Sequence, residues 1–155
     1  MPSMHRLTPV LAVLFAFALV PAAHARVVVV AGGDGAATLT DVTTNKVAAR
    51  IAVGGRSRAA AVAPDGTRGY VAAGRRVVAI DLASRAVAAG VNAGGAVTAL
   101  AASGDGQRLY AARRGAIDVI DAPTMTLRAS IALGARASGV IVGASTSCAS
   151  ASRGA

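Results

Sequence analysis

The chain of 155 residues carries sixteen basic residues against seven acidic ones, a net charge of +9 near neutrality. All seven acids are Asp, and the only two histidines, His5 and His24, lie in the first 25 residues. From residue 26 onward this excludes a His general base, a Ser-His-Asp arrangement and any zinc, copper or haem site built on His.

The first segment, 1–25, reads as a secretory signal. His5 and Arg6 give a short basic start, Val10 to Val20 is an unbroken apolar run, and Ala23-His24-Ala25 is a small-x-small cleavage site. The competing reading is a membrane anchor, but eleven apolar residues ended by Pro21 fall short of the roughly 20 that cross a bilayer. The expected product is a chain starting at Arg26, periplasmic or secreted, without a transmembrane span. Its one cysteine, Cys148, leaves no internal disulfide, so stability must come from burial. The apolar residues are mostly Ala and Val, and Tyr70 and Tyr110 are the only aromatics after the signal.

Short apolar runs then alternate with turn residues. Val27 to Ala31 reads as a buried strand, Gly32-Gly-Asp-Gly35 as a break, and Thr38 to Val42 as a second strand. Val47 to Val53 follows and ends at Gly54-Gly55. Ala59 to Ala63 is short for a helix standing alone and is followed by Pro64-Asp65-Gly66. Asp-Gly between apolar runs predicts a hairpin with a type I′ turn, in which both Asp65 and Gly66 take positive φ. Arg68 to Ala72 is then the return strand. Strands are expected next at Val77 to Asp81, Ala86 to Val91, Val97 to Ala102 and Arg108 to Ala112, with a second Asp-Gly turn at Asp105-Gly106. Ala116 to Asp121, Leu127 to Leu133 and Gly139 to Val142 complete the series.

The pattern repeats every 40 residues. Asp41, Asp81 and Asp121 share one position; Ile51, Val91 and Ile131 another; Gly54, Gly94 and Gly134 a third. Asp65-Gly66 answers to Asp105-Gly106, Arg68 to Arg108 and Tyr70 to Tyr110. Four short strands per repeat, punctuated by Gly and Asp-Gly, predict an all-β fold of β-propeller blades. Asp41, Asp81 and Asp121 are expected to accept backbone N–H bonds in the turns that follow them, and Asp65 and Asp105 to serve their hairpin corners.

The unit Val-Val-Ala-Ile-Asp81, with Val62-Ala-Pro-Asp-Gly66 and Gly-Tyr-Val-Ala72, resembles the YVTN repeat of bacterial YncE-like β-propellers. The resemblance spans about 26–142, with Ala73 where that repeat usually has Asn and a poorer match at Tyr110-Ala111-Ala112. It implies that the strand before Asp65 is innermost in its blade, the Tyr70 strand second, the Asp81 strand third and the Val87 strand outermost. On that reading the chain holds twelve strands, about three blades, where family members usually carry about seven, so a partial or open propeller is expected, as from a truncated or frame-shifted gene. The segment 143–155 is rich in Ser and Ala, lacks the third Pro-Asp-Gly and is expected to be disordered.

Few residues offer chemistry. Asp34, Asp65 and Asp105 sit in Gly turns without the closely spaced oxygens of a calcium loop, and neither Gly-Gly stretch has the Lys-Ser/Thr ending of a phosphate loop. No catalytic residue, cofactor or metal is therefore expected. Arg75, Arg76, Arg113 and Arg114 precede third strands, and stacked blades would place them on one face as an anion-binding arc; the plainer alternative is that they are solvated loop residues reflecting Arg-rich composition. Nucleic acid is weakly supported for want of aromatic stacking platforms. The functional expectation is a non-enzymatic exported propeller, binding or scaffolding an unknown protein or anionic polymer. The alternatives are a basic polyanion- or nucleic-acid-binding envelope protein, and a non-catalytic piece of a lactonase-like or quinoprotein-associated propeller. Two copies could also complete a ring.

Overall fold

The computed structural model describes residues 27–142 and 147–152, all in strands, turns or short loops. The first sheet has three strands in the order β1-β2-β3, namely Val27–Ala31, Ala36–Asp41 and Lys46–Ala52. The second has four, β4 (Ser57–Val62), β5 (Arg68–Ala73), β6 (Arg76–Asp81) and β7 (Ala86–Asn92), in chain order. The third runs β11-β10-β9-β8, from β8 (Val97–Ala102), β9 (Arg108–Asp121), β10 (Thr126–Val142) and β11 (Ser147–Ser152). Every pairing is antiparallel. β4 packs against both β1 and β8, and β8 in turn against β10, so the sheets fan out from an inner edge. The protein is a partial β-propeller; its sheets are called blades I, II and III below.

Blade II shows why the sequence takes this form. Side chains alternate across a strand. Val71, Ala73, Val78 and Ile80 enter one core with Ala37, Leu39, Ile51 and Val53 of blade I. Tyr70, Ala72, Val77 and Ala79 enter a second core with Val97, Leu100, Leu109, Ala111 and Ile120 of blade III. A sheet covered on both faces needs apolar residues at successive positions, and β5 and β6 have them. Small residues let the faces approach. At Gly69 a Cβ would meet Val29 Cγ2 at 2.9 Å, so the glycine hydrogen is what fits there.

Several boundaries differ from those expected. The strands anticipated at 108–112 and 116–121 are the two halves of β9, which pair with β8 and β10 respectively, and Gly115 (φ 76) sits between them. The strands anticipated at 127–133 and 139–142 likewise belong to β10. Residues 147–152, expected to lack regular structure, form β11 against the end of β10. Residues 143–146 and 153–155, like 1–26, where the signal was expected, lie outside the described residues.

The Asp-Gly corner also differs from the type I′ expectation. Gly66 N–H donates to the Ala63 carbonyl at 2.9 Å and Ala63 N–H to Arg68 carbonyl at 2.8 Å, and only Gly66 (φ 70) has positive φ. The turn therefore begins one residue earlier, with Pro64 and Asp65 central, a frame that Pro64 with its φ fixed near −65° suits but that the 103–108 corner adopts with Gly104 in its place. The 103–108 corner repeats this with Gly106 (φ 70). The loops before the outer strands carry a second recurring left-handed position, at Asn45 (φ 52), Arg85 (φ 56) and Met125 (φ 51). We expect Gly66→Ala to lower unfolding free energy by about 1 kcal/mol, and Arg85→Gly, at an exposed strained position, to leave it equal or raise it, both measured by urea titration.

Candidate functional site

Strand register assigns every charged side chain of 27–134 to one of two ends. Arg68 pairs with Asp81 and Ala73 with Arg76, so the Asp-Gly corners and the turns after Asp81 share one end, and the β5–β6 turn and blade joints share the other. Blades I and III repeat the arrangement. At the corner end lie Asp41, Asp65, Asp81, Asp105 and Asp121, balanced by Lys46, Arg68, Arg85, Arg108 and Arg128. At the joint end lie Arg50, Arg56, Arg58, Arg75, Arg76, Arg113 and Arg114, against Asp34 and Asp118 alone. The corner end is neutral, and the joint end carries the whole net positive charge of this span.

The corner-end carboxylates are engaged in their own turns. Asp41 accepts from Thr43 N–H at 2.8 Å, Asp81 from Ser84 N–H at 2.7 Å and Asp121 from Thr124 N–H at 3.1 Å. Asp65 accepts from Thr67 N–H at 3.0 Å, and Asp105 from Gln107 N–H at 2.9 Å and Ser103 Oγ at 2.5 Å. These bonds hold the carboxyl groups below the usual range. Asp121, which accepts from the Thr124 hydroxyl and from Arg128, falls to about 2. Between the two Asp-Gly corners is a cleft of about 280 Å3, walled by Pro64, Asp65, Arg68 and Tyr70 on one side and Gly106 and Gln107 on the other. Its carboxylates face their own loops, and Arg68 Nη1 donates to the Ala122 and Pro123 carbonyls at 3.4 Å each. Among the described residues no three His, Cys, Asp or Glu side chains lie close enough to hold a metal ion.

The four arginines singled out by the sequence do share the joint end, but not one role. Arg75, Arg76 and Arg114 are exposed, as are Arg56 and Arg58 nearby, and their side chains make no hydrogen bond or ion pair among the described residues. Arg76 lies across Gly90, where a Cβ would meet its Nε at 2.7 Å. Arg113 instead turns inward and leaves the anticipated arc. Its Nε donates to Asp118 at 3.0 Å and its Nη2 to Ser130 Oγ at 2.8 Å, while Asp118 also accepts from Gly94 N–H at 2.9 Å.

Asp118 is fully buried at the interface of blades II and III. Burial works to raise its pKa, but the hydrogen bonds from Ser130, Gly94 N–H and Arg113 outweigh it and the group sits low. The repeat could not reveal this pair. One period earlier the same positions are Ala73 and Val78, both buried against blade I. The signal available was a charged residue where its repeat partner is aliphatic. Tyr110 also departs from its counterpart: it is half-buried, whereas Tyr70 is 2 % exposed.

Two outcomes are expected. Asp118→Val alone strands Arg113 and the Gly94 N–H and costs about 2 kcal/mol; adding Arg113→Ala, which restores the pattern of the preceding blade, recovers part of it in a double-mutant cycle. Because folding lowers the Asp pKa values, the stability they contribute is complete above about pH 5 and is lost as pH falls through the ordinary carboxylate range toward 2. Thermal midpoints recorded across that range check this, with no further loss between about pH 5 and 7, since the chain has no His from residue 26 onward.

No protein-family model matches the sequence, and no curated protein does. Solved structures do. Kuenenia stuttgartiensis hydrazine synthase aligns over 68% of this chain and 32% of its own, at 30% identity and a TM-score of 0.66. Dihydro-heme d1 dehydrogenase NirN, solved in complex with DHE, aligns over 77% of this chain and 28% of its own, at 27% identity and a TM-score of 0.67. The chain thus spans about a third of the length of the structures it resembles, and the likeness is that of a set of propeller blades.

Proposed function

We propose that this chain is an exported, non-enzymatic β-propeller of the YVTN-repeat kind that binds an anionic polymer across its joint end. The observation that carries the reading is the partition of charge: five exposed arginines, Arg56, Arg58, Arg75, Arg76 and Arg114, share one end with no acid free to neutralise them. The two acids there are already spent, Asp34 on Arg50 and Asp118 on Arg113. Arginine forks suit sulfate, phosphate and carboxylate groups, and a dispersed arc suits a polymer better than a single small anion. With no stacking aromatic at that end, a polysaccharide or teichoic-type chain fits better than single-stranded nucleic acid. Export rests on the signal at 1–25, and intact-mass measurement of the secreted product should find Arg26 at its start.

A second reading has one observation in its favour. Both solved relatives are named for enzymes, so the blades could be a non-catalytic part of a larger redox or lactonase-like assembly. Lacking His and Glu from residue 26 onward, the chain would contribute structure rather than a general base.

Titration with fluorescent dextran sulfate separates these readings. We expect binding at low salt that weakens steeply as salt rises, because bound counterions are released. Replacing Arg75 and Arg114 by Asp should weaken it about tenfold or more, while Arg68→Ala and Arg108→Ala at the corner end should not. Absence of binding at low salt overturns the polyanion reading.

A further inference from the structure

Among the described residues the two end blades each leave a face uncovered, and the repeat shows what shape that face expects. In strand pairing, β1 occupies the position of β5: Val29 pairs with Leu39 as Tyr70 pairs with Ala79, and Val30 with Thr38 as Val71 with Val78. Yet Val71 is 0% exposed and Val30 is 47% exposed. The difference is the neighbour: Val71 is covered by blade I, whereas no described residue covers Val30, nor Val28 at 46%. At the opposite side of the fan, Tyr110 is only half-buried, whereas Tyr70 is covered by blade III.

Blade I also lacks an inner strand among the described residues, while one inner strand is surplus. Residues 139–142 are one period beyond 99–102 of β8, and β10 packs against β8 as β8 does against β4. Their present partner is β11, in a register foreign to the repeat. Ala60 faces Val71 and Leu100 faces Ala111, so the period would put Val140 opposite residue 151; it faces Ala149 instead. A Ser/Ala strand, two residues out of register, occupies an edge that the repeat shapes for a sequence like Val27–Ala31.

We propose that two copies of this chain join head to tail, each giving residues 139–142 as the inner strand of the other's blade I and displacing β11. The register follows from the blades already formed: Val140 opposite the other copy's Val30, and Val142 opposite its Val28. The contact repeats the I–II and II–III interfaces, so it is self-consistent in shape, apolar face on apolar face. A head-to-tail contact either closes into a ring or grows without limit; two copies of three blades make six, within the four to eight at which propellers close. The joint ends then lie on one side of the ring. This inference rests on blade packing and is independent of the polyanion reading.

Light scattering on the purified chain should give twice the chain mass. Val30→Arg, at an exposed position, should give a monomer with an unchanged β-sheet circular dichroism spectrum. In a Cys148→Ala background, Val30→Cys and Val140→Cys should each form no disulfide alone but link to one another when mixed and oxidised. A monomer at all concentrations, open-ended growth, a Val30→Arg dimer, or absence of the mixed disulfide would each overturn the proposal.

Discussion

A propeller blade is a sheet with two faces, and neither is covered by a helix. Everything in this protein depends on that constraint: each blade must be buried by the next, on both sides. The interfaces are made from Ala, Val and Gly, which bury little area apiece but let sheets come close. Blade II, flanked on both sides, holds the most completely buried strands, while Val28 and Val30, on the unflanked side of blade I, are exposed.

That logic explains which features could be read from the sequence. The 40-residue period was visible because the packing problem repeats identically, and with it came the blade architecture. Gly66 was visible because positive φ is costly for other residues. The turn at Pro64-Asp65-Gly66 was placed correctly but given the wrong geometry: the Asp-Gly rule expects a two-residue loop, whereas four residues lie between Ala63 and Arg68, as between Ser103 and Arg108, and only the Gly takes positive φ. β11 was hidden because a Ser/Ala segment has no apolar alternation in its sequence. Arg113 was misjudged because its partner Asp118 is a departure from the repeat; reading by period favours what the blades share and passes over what distinguishes one interface from another.

The buried pair and the exposed arginines show the same residue type under opposite constraints. Arg113 is held by three oxygen contacts at the interface of blades II and III, beside Gly94 and Gly95, where a Cβ on Gly94 would strike its guanidinium at 2.9 Å. Arg114, its chain neighbour, points the other way in the strand alternation and is exposed. A single peptide bond thus separates a structural cation from one available to a ligand, and composition cannot tell them apart.

The sorting of charge between the two ends has a consequence beyond any particular ligand. Neutral at one pole and positive at the other, the molecule carries a permanent electric moment along the direction of its strands. Near any negatively charged wall it feels a torque as well as a pull, within roughly 10 Å at moderate ionic strength. It therefore arrives already turned, joints first, with the Asp-Gly corners facing away into solvent. An all-β fan with no helix long and apolar enough to cross a membrane among its described residues would in this way have a defined up and down at a surface, set by which turns hold Arg and which hold Asp.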